Sequence, residues 1–285
     1  MSFVWVQDAL TRRRSRGRKL SQPLLIVSGC VVTLSVLLAI LGPLISPYSP
    51  TEVDILAPSL PPSAQHWFGT DSLGRDIFSR VLHGAGLSYL AAASIVLIAT
   101  VLGTAIALLA AWRGGWIDGL VTRGLNVLFA VPSILIAILA TAVFGVGMWA
   151  PVLALSVVYI PYIARVVRSV AVKERKRPYV ESLQLSGLSS LRIVIFHILP
   201  NVFPTVLAQA TFGFGSAILD FASVSFLGLG VQPPAAELGI MVFQGRDEIL
   251  NGAFQQTFAA SAVIIITVVA FNVFGDQLTT WLGRR

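Results

Sequence analysis

The residues with reactive side chains are few, and their spacing limits what they can do. His66, His83 and His197 are scattered with no metal-ligand spacing, so no metal site is expected. Cys30 is the only cysteine, which excludes an internal disulfide or a thiolate cluster; within its apolar run it reads as a small buried hydrophobe. A phosphate-binding loop needs Lys after Gly in a Gly-rich turn, and none of Lys19, Lys173 and Lys176 follows a glycine. Any nucleotide hydrolysis must therefore come from another chain. Ser216 follows Gly215, but His197 sits near the opposite end of the same apolar run, leaving no base in reach; Gly213, Gly215 and Ser216 read as a close helix-packing surface. Asp220 is the one acid near membrane depth, where ionisable groups are functional candidates. Its place toward the outer end of the run predicts an interfacial or helix-capping role.

The elements that must position these residues follow from composition. The chain has 285 residues, 55% of them hydrophobic and 12% charged, with a mean hydropathy of +0.82. Soluble domains carry about 25% charged residues, so lipid is the solvent for much of this surface. The net charge of +7 is dispersed in short blocks without interleaved aromatics, which argues against a nucleic-acid partner.

A hydrocarbon core of about 30 Å needs about 20 apolar residues in a helix. Such stretches run over 24–41, 87–111, 124–164 (long enough for two spans, dividing at 144–148), 201–219 and 249–275, the last entering lipid from about Thr257. The expected fold is an all-α polytopic bundle of about six spans. Its parts are a basic tail over 1–23, a first span over 24–42, an external loop over 43–86, a five-span core over 87–277 and a short tail over 278–285. Placing both termini in the cytoplasm puts all but three of the 20 Lys and Arg inside, the exceptions being Arg75, Arg80 and Arg246. The basic start followed by a full-length span without a small-x-small site reads as an uncleaved anchor.

The external loop over 43–86 is Pro-rich and predicts a surface helix near its end. Thr70 or Asp71 would cap it, Asp76 and Arg80 would pair at i, i+4, and Ile77, Phe78, Val81 and Leu82 would lie on the bilayer. A second external loop, 228–251, contains Gly and Pro. Arg165 and Arg168, at the inner end of the fourth span, are expected to snorkel to lipid headgroups.

The internal loop over 165–200 has more to say. Pro178 suits a first helical turn and Glu181 complements its dipole. Gly187 permits a tight turn. Leu188, Leu191, Ile195, Ile198 and Leu199 then predict an apolar stripe on a second helix, broken at Pro200 where the fifth span begins. Short helix, glycine break and second helix make a compact element, suited either to connecting two spans or to docking in a partner's groove.

Glu181-Ser-Leu-Gln-Leu-Ser-Gly187, followed after nine residues by His197-Ile-Leu-Pro-Asn201, resembles the EAA motif of ABC-importer permeases. Glu181, Gly187, Leu199 and Pro200 match in register; Ser182 and Leu183 replace the two alanines, and His197 takes an Ile position. His66-Trp-Phe-Gly-Thr-Asp-Ser-Leu-Gly-Arg-Asp-Ile-Phe-Ser-Arg80 and Ser225-Phe-Leu-Gly-Leu-Gly-Val-Gln-Pro-Pro234 are similar to segments of the dipeptide, oligopeptide and nickel branch, as is Phe271-Asn-Val-Phe-Gly-Asp276. The likeness is greatest to the C-type subunit, in the cell inner membrane. It implies a heterodimer with a B-type permease, two cytoplasmic ATPase subunits that bind ATP and magnesium, and an extracytoplasmic binding protein that delivers cargo. It also implies that Glu181, Ser182, Leu183, Gly187, His197, Leu199 and Pro200 frame the coupling helices, between spans four and five, that the ATPase grips. No catalytic residue, cofactor or metal is expected in this chain, only lipid and these protein partners. A peptide is the expected cargo, with a nickel chelate of the same family or a stand-alone secondary transporter as alternatives.

Overall fold

A computed structural model describes the backbone over residues 3–282 and side chains over 23–281; the basic stretches 12–19 and 284–285 lie outside the described side chains. Ten α-helices follow one another among the described residues, without a β-strand: α1 Phe3–Ile45, α2 Ile77–Arg113, α3 Gly115–Ala130, α4 Ser133–Phe144, α5 Trp149–Arg175, α6 Pro178–Leu185, α7 Ser190–Ile193, α8 Leu199–Phe226, α9 Leu238–Ile249 and α10 Gln255–Leu282. A five-residue π turn, Val194–Ile198, joins α7 to α8. The segments Pro23–Ile45, Ile77–Arg113, Trp149–Arg175, Ser190–Phe226 and Gln255–Trp281 are each long and apolar enough to span a membrane. A sixth crossing exists only as the pair α3–α4, bent by 83°.

α2 forms the centre, packed chiefly against α5 and also against α1 and α8. Its buried seam recurs every four residues through Ala91, Ile95, Ala99, Gly103 and Ala107, the small-residue spacing that lets helix backbones approach in lipid. A Cβ at Gly103 would stand 3.1 Å from the Ile160 carbonyl oxygen. Gly215 does the same between α8 and α10, where a Cβ would lie 3.2 Å from the Val268 carbonyl, in agreement with the packing role read for it. Ser216 beside it is exposed.

Several expectations need correction. No separate surface helix precedes the second span: Ile77, Val81 and Leu82 are buried at the beginning of α2, which runs unbroken to Arg113. Its cap is Asp76, whose Oδ2 accepts from the Ser79 amide at 2.7 Å, rather than Thr70 or Asp71. Arg80 does not pair with Asp76. It is fully buried, donates to the Pro50 carbonyl (2.8 Å) and Gln244 Oε1 (3.0 Å), and approaches Asp71 at 3.5 Å. Asp71 instead takes Arg75 Nε at 2.7 Å. A buried guanidinium needs hydrogen-bond acceptors more than it needs a neighbour on its own helix, and the two loops at this end supply them.

Those loops are tied at two more places. Glu248 of α9 accepts from the Ser72 amide at 2.7 Å. Glu237 caps α9, accepting from the Gly239 and Ile240 amides at 3.0 Å, and takes the Ser88 hydroxyl of α2 at 2.6 Å. Burial pushes the carboxyls of Glu237 and Glu248 above the usual range. This end of the bundle, the α9 end, is a cross-linked cap. Cys30, expected to be buried, faces outward from α1.

Candidate functional site

The loop between α5 and α8 lies at the opposite end. α5 stops at Arg175, and the extended backbone of Arg177 with Pro178 in the first turn starts α6. Glu181 is in that first turn, as expected. α6 closes with paired bonds from the Leu188 amide to the Leu183 carbonyl (3.2 Å) and from the Gly187 amide to the Gln184 carbonyl (3.0 Å). This is the Schellman arrangement, which places its C′ residue in the left-handed region. Gly187 has φ +79°, and no atom lies within 4 Å of where its Cβ would be. The glycine is there for its backbone, and the space around it is open.

α6 touches the bundle along a narrow edge. Val180 is buried, and Tyr179, Leu183 and Leu188 pack against the core. Everything else faces out, including Glu181, Ser182, Gly187 and Leu185, the last 84% exposed.

The second half of the loop departs from its expected form. Ser190–Phe226 is one continuous apolar helical stretch, and Pro200 does not break it. The Leu199 amide reaches back five residues to the Val194 carbonyl; this wide turn makes room for a proline ring that cannot donate and crowds the preceding turn. His197 sits half-buried in that turn, its Nδ1 without a partner among the described residues. Ile193 and Ile198 are buried, whereas Leu191 and Ile195 are exposed. The predicted stripe is therefore rotated: Leu191, Ile195 and Leu199 help line an open apolar cavity of about 850 Å³ against α2. Glu181, Ser182, Leu183 and Gly187 thus share α6 and its cap, while His197, Leu199 and Pro200 belong to the helix that becomes α8.

What holds α6 in place went unread in the sequence. Glu174, buried at the end of α5, accepts from Tyr179 Oη and Asn201 Nδ2, each at 2.9 Å, and pairs with Arg177 Nε at 3.0 Å. Asn201 also donates to Tyr179 Oη at 3.1 Å. Burial, with the Glu174 carboxylate adding to it, raises the Tyr179 phenol above its ordinary value, so its proton stays in place. One carboxylate thereby ties α6 to the ends of both α5 and α8. Nearby, Arg175 donates to the Ala111 carbonyl at 2.9 Å, capping α2. An acid amid six basic residues and an Asn after Pro were the available signals.

The arginines of α5 are not free to reach lipid headgroups as expected. Arg168 grips Asp118 of α3 through both carboxylate oxygens. Arg165 donates to Asn126 Oδ1 at 2.8 Å and lies 4.1 Å above the Phe129 ring. Asp220 is likewise no cap: it lies within α8 and accepts from Tyr159 Oη of α5 at 3.0 Å.

Residues 99–285 match the family described as binding-protein-dependent transport system inner membrane component, and residues 13–62 match the N-terminal transmembrane domain of oligopeptide transport permease C. A probable D,D-dipeptide transport system permease protein of Escherichia coli (strain K12) is 37% identical over 95% of this chain and 93% of its own length. A dipeptide transport system permease protein of Alkalihalophilus pseudofirmus is 38% identical over 92% and 86%. A glutathione transport system permease protein of Escherichia coli O6:K15:H31 is 40% identical over 93% and 87%. Among solved structures, an inward-facing MetNI methionine ABC transporter shares the fold, with a TM-score of 0.58 at 20% identity over 71% of this chain and 96% of that one. The chain belongs to the family of binding-protein-dependent transport system inner membrane components.

Proposed function

We propose that this chain is one of two permeases of an ATP-driven importer of di- or oligopeptides, and that α6 is the handle through which the ATPase moves it. The observation that carries the proposal is the form of α6 in a chain of this family: a short helix standing off the bundle, exposed over Glu181, Ser182 and Leu185, ended by Gly187 in open space and anchored by Glu174 to α5 and α8.

The cargoes named for the relatives favour a peptide over a nickel chelate. A related B-type permease would complete the translocation path, two ATPase subunits would bind ATP and magnesium, and a binding protein would deliver the peptide. The chain would supply no hydrolytic chemistry of its own. The termini and the loop over 165–200 would face the cytoplasm, a reading supported by the positive-inside sorting of Lys and Arg. ATP-driven closure of the ATPases would pull α6, and with it the inner ends of α5 and α8.

The test is assembly from purified parts in proteoliposomes. Peptide uptake is expected only with both permeases, both ATPases and the binding protein present. Uptake by this chain alone down an ion gradient would overturn the proposal, as would normal uptake by a Gly187→Trp complex.

A further inference from the structure

We propose that the face built by the α3–α4 break, α5 and α8 lines the translocation path, and that Asp220 is the counter-charge met there by the N-terminal ammonium of a passing peptide. The inference rests on the peptide-importer reading above and adds the place in this chain where cargo is felt.

Depth comes first. Tyr159, the hydrogen-bond partner of Asp220, lies ten residues into α5 from Trp149, roughly 15 Å along the helix at 1.5 Å per residue. On α8, Asp220 itself is six residues from the end at Phe226, roughly 9 Å, so the pair lies about a third to a half of the way through a hydrocarbon core of about 30 Å. Ser133, the first residue of α4, lies near enough to Asp220 for its hydroxyl to favour the carboxylate. The break between α3 and α4 is therefore at the same depth. Its residues Ala130, Val131 and Pro132 are exposed on the surface of this chain. Irregular backbone at such depth is not tolerated against lipid; it must face protein or water.

The side chains of the face agree. Asp220 accepts a hydrogen bond from the Tyr159 hydroxyl and has the Ser133 hydroxyl nearby, and no ion pair to it is found among the described residues. Along α5 the strip continues through the exposed Tyr162, whose ring lies 5.7 Å from that of Tyr159 and 4.7 Å from that of Phe129, to Arg165. Carboxylate and guanidinium thus stand at the two ends of an aromatic strip about two helical turns long, roughly 9 Å along α5. Two extended residues span about 7 Å. Arg165 spends one donor on Asn126 and retains others. Leu219, the residue before Asp220, helps line an apolar cavity of about 400 Å³ together with Ile134, Ser223, Phe226, Val242 and Ile264. A charge at each end of a strip of tilted aromatic rings, with apolar room alongside, matches a zwitterion carrying an apolar side chain. It does not match lipid, against which an unpaired carboxylate is costly.

The experiment uses the assembled transporter with Cys30→Ser and one reporter, Tyr162→Cys or Ser223→Cys, the latter three residues from Asp220 on α8. Each is treated with a cationic trimethylammonium-ethyl or an anionic sulfonatoethyl methanethiosulfonate. Both reporters are expected to be labelled, the cation reacting roughly tenfold faster than the anion as a carboxylate a few ångströms away requires. Asp220→Asn should abolish that preference without abolishing labelling, and should lower uptake of alanyl-alanine at least tenfold while Asp220→Glu restores it in part. Absence of labelling by either reagent would overturn the path assignment. Labelling with equal rates, or a preference that survives Asp220→Asn, would overturn the role of Asp220. The peptide-importer reading is tested separately by alanyl-alanine uptake in the unmodified complex, so the two can fail independently.

Discussion

Replacing Glu174 by Ala should disconnect the motor from the spans while leaving the spans intact. The carboxylate accepts two hydrogen bonds, from Tyr179 and Asn201, and pairs with Arg177. Hydrogen bonds to a charged group are worth roughly 1.5–3 kcal/mol each. Tyr179 and Asn201 keep their mutual bond and have access to water, so the lower figure applies to each. Arg177 is largely exposed and adds less than about 1 kcal/mol after screening. The sum for holding α6 against α5 and α8 is about 3 kcal/mol, which makes a detached α6 roughly 100-fold more populated at 1.4 kcal/mol per decade. Most of the buried helix packing is untouched, so the melting temperature in detergent should fall by only a few degrees. In proteoliposomes with all partners, ATP hydrolysis should persist while peptide delivered per ATP falls steeply. Asn201→Ala should do the same more mildly, and the double variant should be less than additive, since both act through one carboxylate. An unchanged ratio of peptide to ATP in an assembled Glu174→Ala complex would refute the reasoning.

At Gly187, Ala places a side chain in the left-handed region at about 1–2 kcal/mol without steric conflict; Gly187→Trp should therefore leave the isolated chain folded, by circular dichroism, yet abolish co-purification with the ATPase subunits. Arg80→Leu removes the donors that join the Pro50 carbonyl to Gln244 and should lower stability by roughly 3 kcal/mol, read as accelerated proteolysis of the loop over 50–75. For Glu237, burial raises the folded carboxyl above its unfolded value. The stabilising effect of protonation is complete below the unfolded value of about 4.3 and is lost as pH rises through the raised one. The melting temperature should accordingly decline from pH 4 upward, and Glu237→Gln should flatten part of that slope, with Glu248, raised for the same first cause, supplying the rest.

The sequence was most readable where the physics is local. Apolar runs of spanning length, the Pro178 start and the Gly187 stop of α6 each follow from the residues of one segment. Readings failed where a distant segment decides. The expected Asp76–Arg80 pair made 77–86 look like a loop helix, but Arg80 is held by Pro50 and by Gln244, 164 positions away, and α2 begins ten residues earlier than the charge-free stretch. An unpaired arginine near lipid should snorkel; Arg168 does not because Asp118, fifty positions earlier, meets it. The bend at Val131-Pro132 was invisible in hydropathy because both halves are apolar. Asp220 is no helix cap for a related reason: its partner is Tyr159 of α5, 61 positions earlier.

The distribution of ties gives a direction to the motion that the proposed coupling requires. At the α9 end, Arg80, Glu237 and Glu248 cross-link three separate segments through buried polar contacts, so these segments move as one body or not at all. At the α6 end the restraints are a single carboxylate and a narrow apolar edge. A pull on α6 therefore enters through the end of α5 and the start of α8, the two helices Glu174 joins. On α5 the next polar contacts are Arg175 to the Ala111 carbonyl of α2, then Arg168 to Asp118 and Arg165 to Asn126, both on α3. Beyond them Tyr159 holds Asp220 of α8 beside Ser133. Each tie between α6 and the break is a polar contact borne on α5 or α8, and none passes through the cap. The bent pair is thus where a pull on α6 arrives through α5 and α8, and it carries the exposed backbone of the proposed path.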